Sequence, residues 1–306
     1  MTMNSEGLDL DRMDELSRQE AEQNLLHVWS WRGPMYELGA NSLMLDYAQP
    51  RFTKAHRWGS DFYGRPDKVN IILLGIQNLA SYMMLGWETG IFNQFNLQRR
   101  NGLPKQKILE IVMFTQLYAG MRGLGHVYRA IGDMLPAFGE PTGDPAPFPS
   151  NWNVDPDSFK SGLDGSTRAF TDQDRRAIPA WYERHIGYVP ESIRFGLEMH
   201  PEFIKMNRMK WENAIVTLPR QVAPHVMIRL NMMSGNVQGL REAVLLGRNW
   251  GMSREHVING INASVMYFTA FEGLHTAANA VRDILRDWPS ALRSSVRAWI
   301  STRSGK

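Results

Sequence analysis

The sequence contains no cysteine. This absence excludes disulfide bonds, thiolate nucleophiles, zinc–thiolate centres and thiol redox chemistry. No apolar run approaches the roughly 20 residues that a membrane-spanning helix needs. The N-terminal stretch MTMNSEGLDLDRMDELSRQEAEQ is acidic and polar, unlike a signal peptide. We therefore expect a cytoplasmic protein without a membrane partner.

Concentrated charge is also missing, because the net charge is only +3 and no basic tract stands out. A nucleic-acid groove needs clustered lysine and arginine, so we expect no nucleic-acid partner. No phosphate-binding glycine loop or dinucleotide fingerprint is visible either. We therefore expect no cofactor and no bound metal.

Alternating strand patterns bounded by hairpin turns are absent as well. Apolar residues instead recur at three- and four-residue spacing, for example in PDKVNIILLGIQNLASYMMLG and PKQKILEIVMFTQLYAG. Helix starts are marked by proline or serine followed by charge, as at Pro66-Asp67 and Pro104-Lys105. These patterns predict an all-α protein.

One segment, residues 136–166, breaks the helical pattern with six prolines and several glycines. One interpretation is a linker on the surface between two domains. The other is a lid or arm over a site or a neighbouring subunit, with Phe148 and Trp152 as its anchors.

Three sequence blocks recur in the same order on the two sides of this segment. QPRFTKAHR matches HPEFIKMNR, GWETGIFNQFNLQRRNGLPKQ matches GNVQGLREAVLLGRNWGMSRE, and RGLGHVYRAIGDML matches EGLHTAANAVRDIL. The offsets of 149 to 151 residues indicate a duplication. We predict an N-terminal helical extension (1–33), repeat 1 (34–137), a linker (138–171), repeat 2 (172–287) and a C-terminal helical tail (288–306).

The repeat unit resembles the carboxymuconolactone decarboxylase family, which includes the AhpD-type alkylhydroperoxidases. The resemblance is carried by ILEIVMFTQLYAGMRG, by HPEFIKMN and by LPRQVAPHVMIRLNMMSGNVQGLREAVLLGRNWGMSREHV. It implies two tandem AhpD-like helical units, a pocket between paired helices, and a homo-oligomer that is a trimer or dimer of tandem units.

The departures from the family pattern are as informative as the matches. The Cys-x-x-Cys of the peroxidase members is absent, so peroxidase activity is not carried over. The positions of the family histidines hold Gln94, Ala243 and Phe114. Only Glu110 and Tyr118 of the family pattern are kept in repeat 1. In repeat 2, a short insertion after Gly251 makes the alignment with the family pattern ambiguous.

Four residues of repeat 1 are the first catalytic candidates: Glu110, Tyr118, Arg122 and His126. Arg122 and His126 are four residues apart and share a helix face. An arginine binds a carboxylate or phenolate through two parallel hydrogen bonds, and histidine or glutamate moves a proton. The alternative is that Glu110 caps a helix or pairs with Lys107, and that His126 is a core residue.

A second candidate pair in repeat 2 is Glu272 and His275, which lie three residues apart on one helix face. Di-iron bundles use this spacing but need two such motifs, and repeat 1 has Arg122 and Gly125 at the matching places. An acid/base couple is therefore the preferred interpretation of the pair.

The substrate-binding candidates are Arg229, Trp87, Tyr267 and Trp181. Arg229 is a charge inside the apolar helix HVMIRLNMM, so it needs either an acid such as Glu242 or an anionic ligand. Trp181 belongs to the aromatic stretch WYERHIGYVPESIRF, which fits either a pocket mouth or core packing.

These features predict a cofactor-independent lyase or decarboxylase that acts on a small aromatic or lactone-type carboxylic acid. Carbon–carbon cleavage would release carbon dioxide or a small aldehyde, with acid/base side chains stabilising the electrons left behind. The alternative is a non-catalytic binding or assembly protein that has lost the family active site.

Overall fold

The computed structural model describes residues 7–32, 44–46, 48–64, 69–144 and 148–289. Within these ranges the chain is helical and contains no β-strand, which confirms the all-α prediction. None of the described helices has both the length and the apolar composition required to traverse a bilayer. The α-helices are α1 (Arg18–Arg32), α2 (Pro50–Gly64), α3 (Ile71–Leu85), α4 (Glu88–Arg100), α5 (Lys105–Ile131), α6 (Asp172–Ile186), α7 (Glu191–Met199), α8 (Pro201–Asn213), α9 (Val222–Met233), α10 (Val237–Asn249), α11 (Arg254–Ser264) and α12 (Glu272–Arg286). Short 3-10 helices cover Gly132–Met134 and Pro156–Phe159, and a π-helix covers Val265–Thr269.

The helices α3, α4 and α5 pack against one another and form an N-terminal bundle. Most of α3 is apolar and buried, and the side chain of Asn70 caps its start by accepting the N–H of Leu73. The C-terminal bundle is formed by α9, α10 and α12, together with α11 and the π-helix. Asn236 and Ser253 cap α10 and α11 in the same way as Asn70 caps α3.

Left-handed backbone positions recur at a constant spacing in the two bundles. Gly86 and Gly235 end α3 and α9 with φ of 73° and 64°. Gly102 and Gly251 precede α5 and α11 with φ of 82° and 87°. Both pairs are 149 residues apart, and a positive φ is readily adopted only by glycine.

The third recurring position is a break in the last helical stretch of each bundle. Gly120 interrupts α5 with φ 64° and ψ −166°, and Ala270 precedes α12 with φ 49° and ψ −159°. One more residue lies between Gly251 and Ala270 than between Gly102 and Gly120. A π-helical turn accommodates one extra residue, so the π-helix accounts for the insertion that blurs the sequence register.

Each bundle is preceded by an equivalent buried ion pair. Lys54 on α2 is fully buried, with its Nζ 2.8 Å from Oε1 of Glu20. Lys205 on α8 is equally buried, with its Nζ 2.7 Å from Oδ2 of Asp174. The two lysines are 151 residues apart, so the similarity of the two halves includes the helices before each bundle.

The acids of these ion pairs also stabilise the starts of α1 and α6. Glu20 accepts the backbone N–H of Ser17 at 2.7 Å, and the Ser17 hydroxyl accepts the N–H of Glu20 at 3.2 Å. Asp174 and Thr171 form the same reciprocal capping box. In the first half, α1 thus has the position that α6 has in the second, although the predicted boundaries place α1 in an extension and α6 in a repeat.

The proline-rich segment contributes to the core over part of its length. Trp152 is buried and stacks on Phe148, with their ring centroids 6.3 Å apart. Phe159, in the 3-10 helix of this segment, is fully buried. Residues 148–159 are therefore anchored to the C-terminal bundle rather than lying only on the surface.

Candidate functional site

Glu110 connects the two bundles. Its carboxylate accepts the backbone N–H groups of Val216, Thr217 and Leu218 at 3.0–3.1 Å and the Thr217 hydroxyl at 2.8 Å. These donors lie in the turn that leads into α9, more than 100 residues along the chain. Glu110 therefore caps this turn, and it pairs neither with Lys107 nor with a catalytic partner.

Arg122 and His126 do not converge on a cavity. Arg122 is exposed. His126 Nδ1 lies 3.0 Å from Glu88 Oε1 and 2.7 Å from Arg129 Nη2, in a partly exposed ion-pair cluster. The imidazole packs on Gly86, where a Cβ atom would lie 2.6 Å from its Nε2.

Glu272 and His275 are both exposed at the start of α12. Neither side chain makes a hydrogen bond or ion pair with another described residue, and they are not bonded to each other. Among the described residues there is also no group of three or more carboxylate or imidazole side chains that could hold a metal ion.

The aromatic candidates lie in three different places. Trp181 is buried in a cluster with Trp211 and Trp250, and the Arg208 guanidinium lies 3.7 Å from its ring centroid. Trp87 packs edge-on against Tyr82 at 4.7 Å. The other two, Tyr118 and Tyr267, lie near Glu242 and Arg229 respectively.

Arg229 is the predicted residue with the most unusual environment. It lies on α9 at its contact with α3 and is completely buried. Its Nε donates to Ser264 Oγ at 2.8 Å, its Nη1 to Asn78 Oδ1 at 3.3 Å, and its Nη2 to Gln77 Oε1 at 2.9 Å. All three acceptors are uncharged, and no carboxylate in the described chain pairs with the guanidinium. The predicted partner Glu242 is not bonded to it.

An aromatic wall covers the other side of the guanidinium. The ring centroids of Phe268 and Tyr267 lie 4.9 Å and 6.0 Å from the Arg229 Cζ, and Tyr82 packs against Phe268 at 5.5 Å. Burial lowers the pKa of Arg229 to about 9, although the nearby phenols of Tyr267 and Tyr82 oppose this shift. The arginine is still protonated at neutral pH, so a full positive charge is buried here.

The backbone that carries this wall is strained. Tyr267 and Phe268 belong to the π-helix, which is followed by Ala270 with a positive φ. This conformation costs a non-glycine residue about 1–3 kcal/mol, and such strain is frequent at functional sites. The π-helix therefore places Tyr267 and Phe268 over Arg229. The corresponding helix of the first half, α5, contains no π-helical turn.

A neutral histidine pair lies along the same contact between α3 and α9. His225 Nε2 lies 3.0 Å from the carbonyl oxygen of Leu73, which can only accept, so we assign the proton to this nitrogen. His225 Nδ1 then accepts from His256 Nε2 at 3.1 Å. The Trp152 ring covers the pair at 4.9 Å from His256.

The two imidazoles are uncharged at neutral pH. Burial, with His256 beside it, lowers the pKa of His225 well below its usual value. Burial also lowers the pKa of His256 to about 4. The pair is therefore a poor proton donor at neutral pH, and its hydrogen bonds hold α3, α9 and α11 together.

The guanidinium has more hydrogen-bond donors than the described acceptors use. An arginine has five N–H donors, and the three described hydrogen bonds leave two of them without an acceptor among the described residues. A buried charge without an opposite charge is unfavourable unless a ligand supplies one. An oxyanion next to the free N–H groups of Arg229 would provide both the acceptor and the charge.

A surface groove of about 280 Å³ lies next to the π-helix. Val265 and Met266 line it from the π-helix, and Ala55 and His56 line it from α2. Because Tyr267 and Phe268 of the same π-helix pack on Arg229, this short helix separates the groove from the buried guanidinium.

Three polar partners of Arg229 were missed in the sequence: Gln77, Asn78 and Ser264. Gln77 and Asn78 are the polar interruption in the apolar run IILLGIQNLASYMML, and this interruption is the available signal. Comparisons with protein-family models, curated proteins and solved structures find no match for the chain.

Proposed function

We propose that the two bundles are tandem copies of one AhpD-like unit, as the sequence resemblance predicts. The recurring left-handed positions and the two buried Lys–acid pairs support this proposal. Each unit then starts at its capping box, Ser17–Glu20 or Thr171–Asp174, which is earlier in the chain than the sequence blocks indicate. The homo-oligomer implied by the resemblance is part of the same proposal.

We further propose that the protein is a cofactor-independent lyase for a small aromatic or lactone-type carboxylic acid, and that Arg229 stabilises the negative charge that develops on the substrate during the reaction. The observation that carries this proposal is the complete burial of Arg229 without a described carboxylate partner. Phe268, Tyr267 and Tyr82 around it favour a flat, conjugated anion.

The chemistry defines which part of the substrate Arg229 contacts. When carbon dioxide leaves, the bonding electron pair stays on the substrate and moves into a conjugated carbonyl or lactone oxygen. Only interactions that strengthen in the transition state accelerate the reaction. Arg229 therefore faces the oxygen that gains charge, and the departing carboxylate lies farther away.

A phenol is the proton donor in this proposal. The hydroxyl of Tyr267, whose ring centroid lies 6.0 Å from the Arg229 Cζ, or that of Tyr82, whose ring packs on Phe268, gives its proton to the carbanion carbon. The resulting phenolate is stabilised by Arg229 and regains a proton from water. This assignment replaces the roles that the sequence predicted for Arg122 and His126.

A second candidate function is ligand binding without catalysis. It is favoured by the environment of Glu110, whose carboxylate is fully engaged by the turn before α9. The same Arg229 site would then bind an aromatic carboxylate without changing it.

Turnover distinguishes the two candidates. We would incubate the protein with a panel of aromatic and lactone acids, with and without a chelator, and measure carbon dioxide and formaldehyde. We expect release that resists chelation and that falls about 100-fold in kcat/KM in Arg229→Gln, because one charge-stabilising donor group is lost. Arg194→Gln, an exposed arginine on α7, is the matched control.

Two outcomes would count against the lyase proposal. Binding of the acids without any product would favour the non-catalytic candidate. Activity that is lost on chelation would exclude the cofactor-independent mechanism.

A further inference from the structure

The groove of about 280 Å³ beside the π-helix is formed by both halves of the chain. Ala55, His56 and Gly59 line one wall from α2, whereas Asn262 of α11, Leu274 of α12 and residues of the π-helix line the other. All of these lining residues are at least partly exposed. A small molecule can therefore enter the groove without a rearrangement of the helices.

The equivalent contact on the other side of the molecule is filled by aromatic rings. There α5 packs against α8, and the ring centroids of Phe114 and Trp211 lie 6.2 Å apart. At the 149- and 151-residue spacings of the two halves, these residues correspond to Ala263 and Ser60. The change from two large residues to two small ones accounts for the space between α2 and the π-helix.

The lining of the groove defines the class of ligand that it can take. Val265, Met266 and Leu274 are apolar, and Asn262 supplies a hydrogen-bond donor and an acceptor. No lysine, arginine, aspartate or glutamate of the described chain lines the groove, so an ion would find no opposite charge there. The lining thus suits a neutral, mostly apolar molecule with one hydrogen-bonding group.

The surroundings favour an aromatic ligand. Met266 packs on Gly59, where a Cβ atom would lie 2.5 Å from its Sδ and its Cε, and a thioether makes favourable contacts with aromatic rings. Phe52 precedes the groove residues of α2 by one helical turn, and Phe271 precedes Leu274 by one turn of α12. Both phenylalanines are strongly exposed, so an aromatic side chain borders each wall.

The size of the groove limits the ligand to one ring. A cavity of about 150 Å³ lined by apolar side chains holds a benzene molecule, so about 280 Å³ accommodates a ring with a short substituent. We propose that the groove binds a small neutral aromatic alcohol of the size of phenol, with its ring on Met266 and its hydroxyl at Asn262. This inference is independent of the proposed lyase activity, which depends on Arg229.

The test is an NMR titration of the full chain, labelled with carbon-13 at the methionine methyl groups, with phenol. The Met266→Leu variant identifies the signal of Met266. We expect phenol to shift this signal saturably in the millimolar range, because the groove is open and the ligand is small. A nuclear Overhauser effect between the Met266 methyl group and the phenol protons should place the ring in the groove.

Variants test whether the groove itself holds the ligand. Ala55→Phe introduces a ring on the α2 wall and should weaken phenol binding at least tenfold. Ala180→Phe, at an exposed position on α6, is the matched control and should bind phenol as the unchanged protein does. Arg229→Gln should also bind phenol normally, which separates this site from the proposed lyase site.

Related ligands test the selectivity of the groove. Cyclohexanol should bind severalfold more weakly than phenol, and benzoate should give no nuclear Overhauser effect to the Met266 methyl group. Three results would each overturn the proposal: no saturable shift and no nuclear Overhauser effect at Met266, an equal shift at the exposed Met121, or unchanged phenol affinity in a folded Ala55→Phe variant.

Discussion

The N-terminal and C-terminal halves have several backbone and ion-pair features in common but differ in the charges that they bury. Both halves have an inaccessible lysine paired with an acid from a capping box. At the 149-residue spacing, however, Ala80 and Asn93 of the first half correspond to Arg229 and Glu242 of the second. The shared features support the helices, and the difference at Arg229 marks the place where we propose that an anionic ligand binds.

The same contrast holds for the backbone. Gly120 adopts its unusual conformation without a side chain, whereas the second half has Ala270 there and a π-helix before it. The second half therefore retains a strained path next to Arg229. Substitutions at matched positions distinguish features that are common to both halves from features that are specific to one.

The largest expected effect is on the shared ion pairs. Lys54→Met and Lys205→Met each leave a buried carboxylate without its cation, and we expect each to lower the free energy of unfolding by about 3–5 kcal/mol. Urea denaturation measures the loss, and Lys210→Met, at an exposed position on α8, is the control. A large loss in one half and almost none in the other would show that the two pairs are not equivalent.

The histidine pair predicts a pH effect that is specific to the contact between the halves. The pKa of His256 is lowered to about 4 from an ordinary 6.5, so the unfolded chain binds a proton there before the folded chain does. The stability that depends on neutral His256 is fully present above about pH 6.5 and is lost as the pH falls to about 4. The expected loss is about 3 kcal/mol.

Unfolding free energies at pH 7 and pH 4 measure this effect. We expect His256→Gln to lose less stability over this interval than the unchanged protein, because the titrating group is gone. His200→Gln changes an exposed histidine between α7 and α8, and it should leave the loss of unfolding free energy between pH 7 and pH 4 unchanged. If His256→Gln has the same pH dependence as the unchanged protein, the buried neutral pair is not responsible.

Exchanging the two break residues should have opposite effects. A Cβ atom at Gly120 would meet no atom within 4 Å, so Gly120→Ala costs only backbone strain, about 1–2 kcal/mol. Ala270→Gly removes such strain, but the glycine also makes the unfolded chain more flexible, so the net stabilisation should be at most about 1 kcal/mol. Thermal unfolding measures both, and destabilisation by both variants would contradict a strained Ala270.

How much the sequence could predict differs between the helices and the site. Apolar spacing predicts the helices because local periodicity reflects burial on one face. A capping role for Glu110 was one of the alternatives, but its partners could not be predicted, since they lie more than 100 residues away in a turn without a motif. The buried charge of Arg229 could be predicted from its apolar helix, but its partners Gln77 and Asn78 depend on the packing of α3 against α9.

The boundaries of the two proposed units show the same limit. The matched sequence blocks begin near α2 and α8, whereas the capping boxes of α1 and α6 share almost no sequence. Glu20 and Asp174 differ in length, and Ser17 and Thr171 differ in identity, yet they make equivalent hydrogen bonds. The two capping boxes thus make the same hydrogen bonds although their residues differ.

Binding of benzoate to the unchanged protein and to Arg229→Gln, measured by titration calorimetry at pH 7.5, tests the central claim most directly. Arg229 should give one benzoate site per chain, and removing its charge should weaken binding at least tenfold while Arg194→Gln has no effect. Equal affinity in the Arg229→Gln variant, or no benzoate binding by a folded unchanged protein, would contradict an anion site at Arg229.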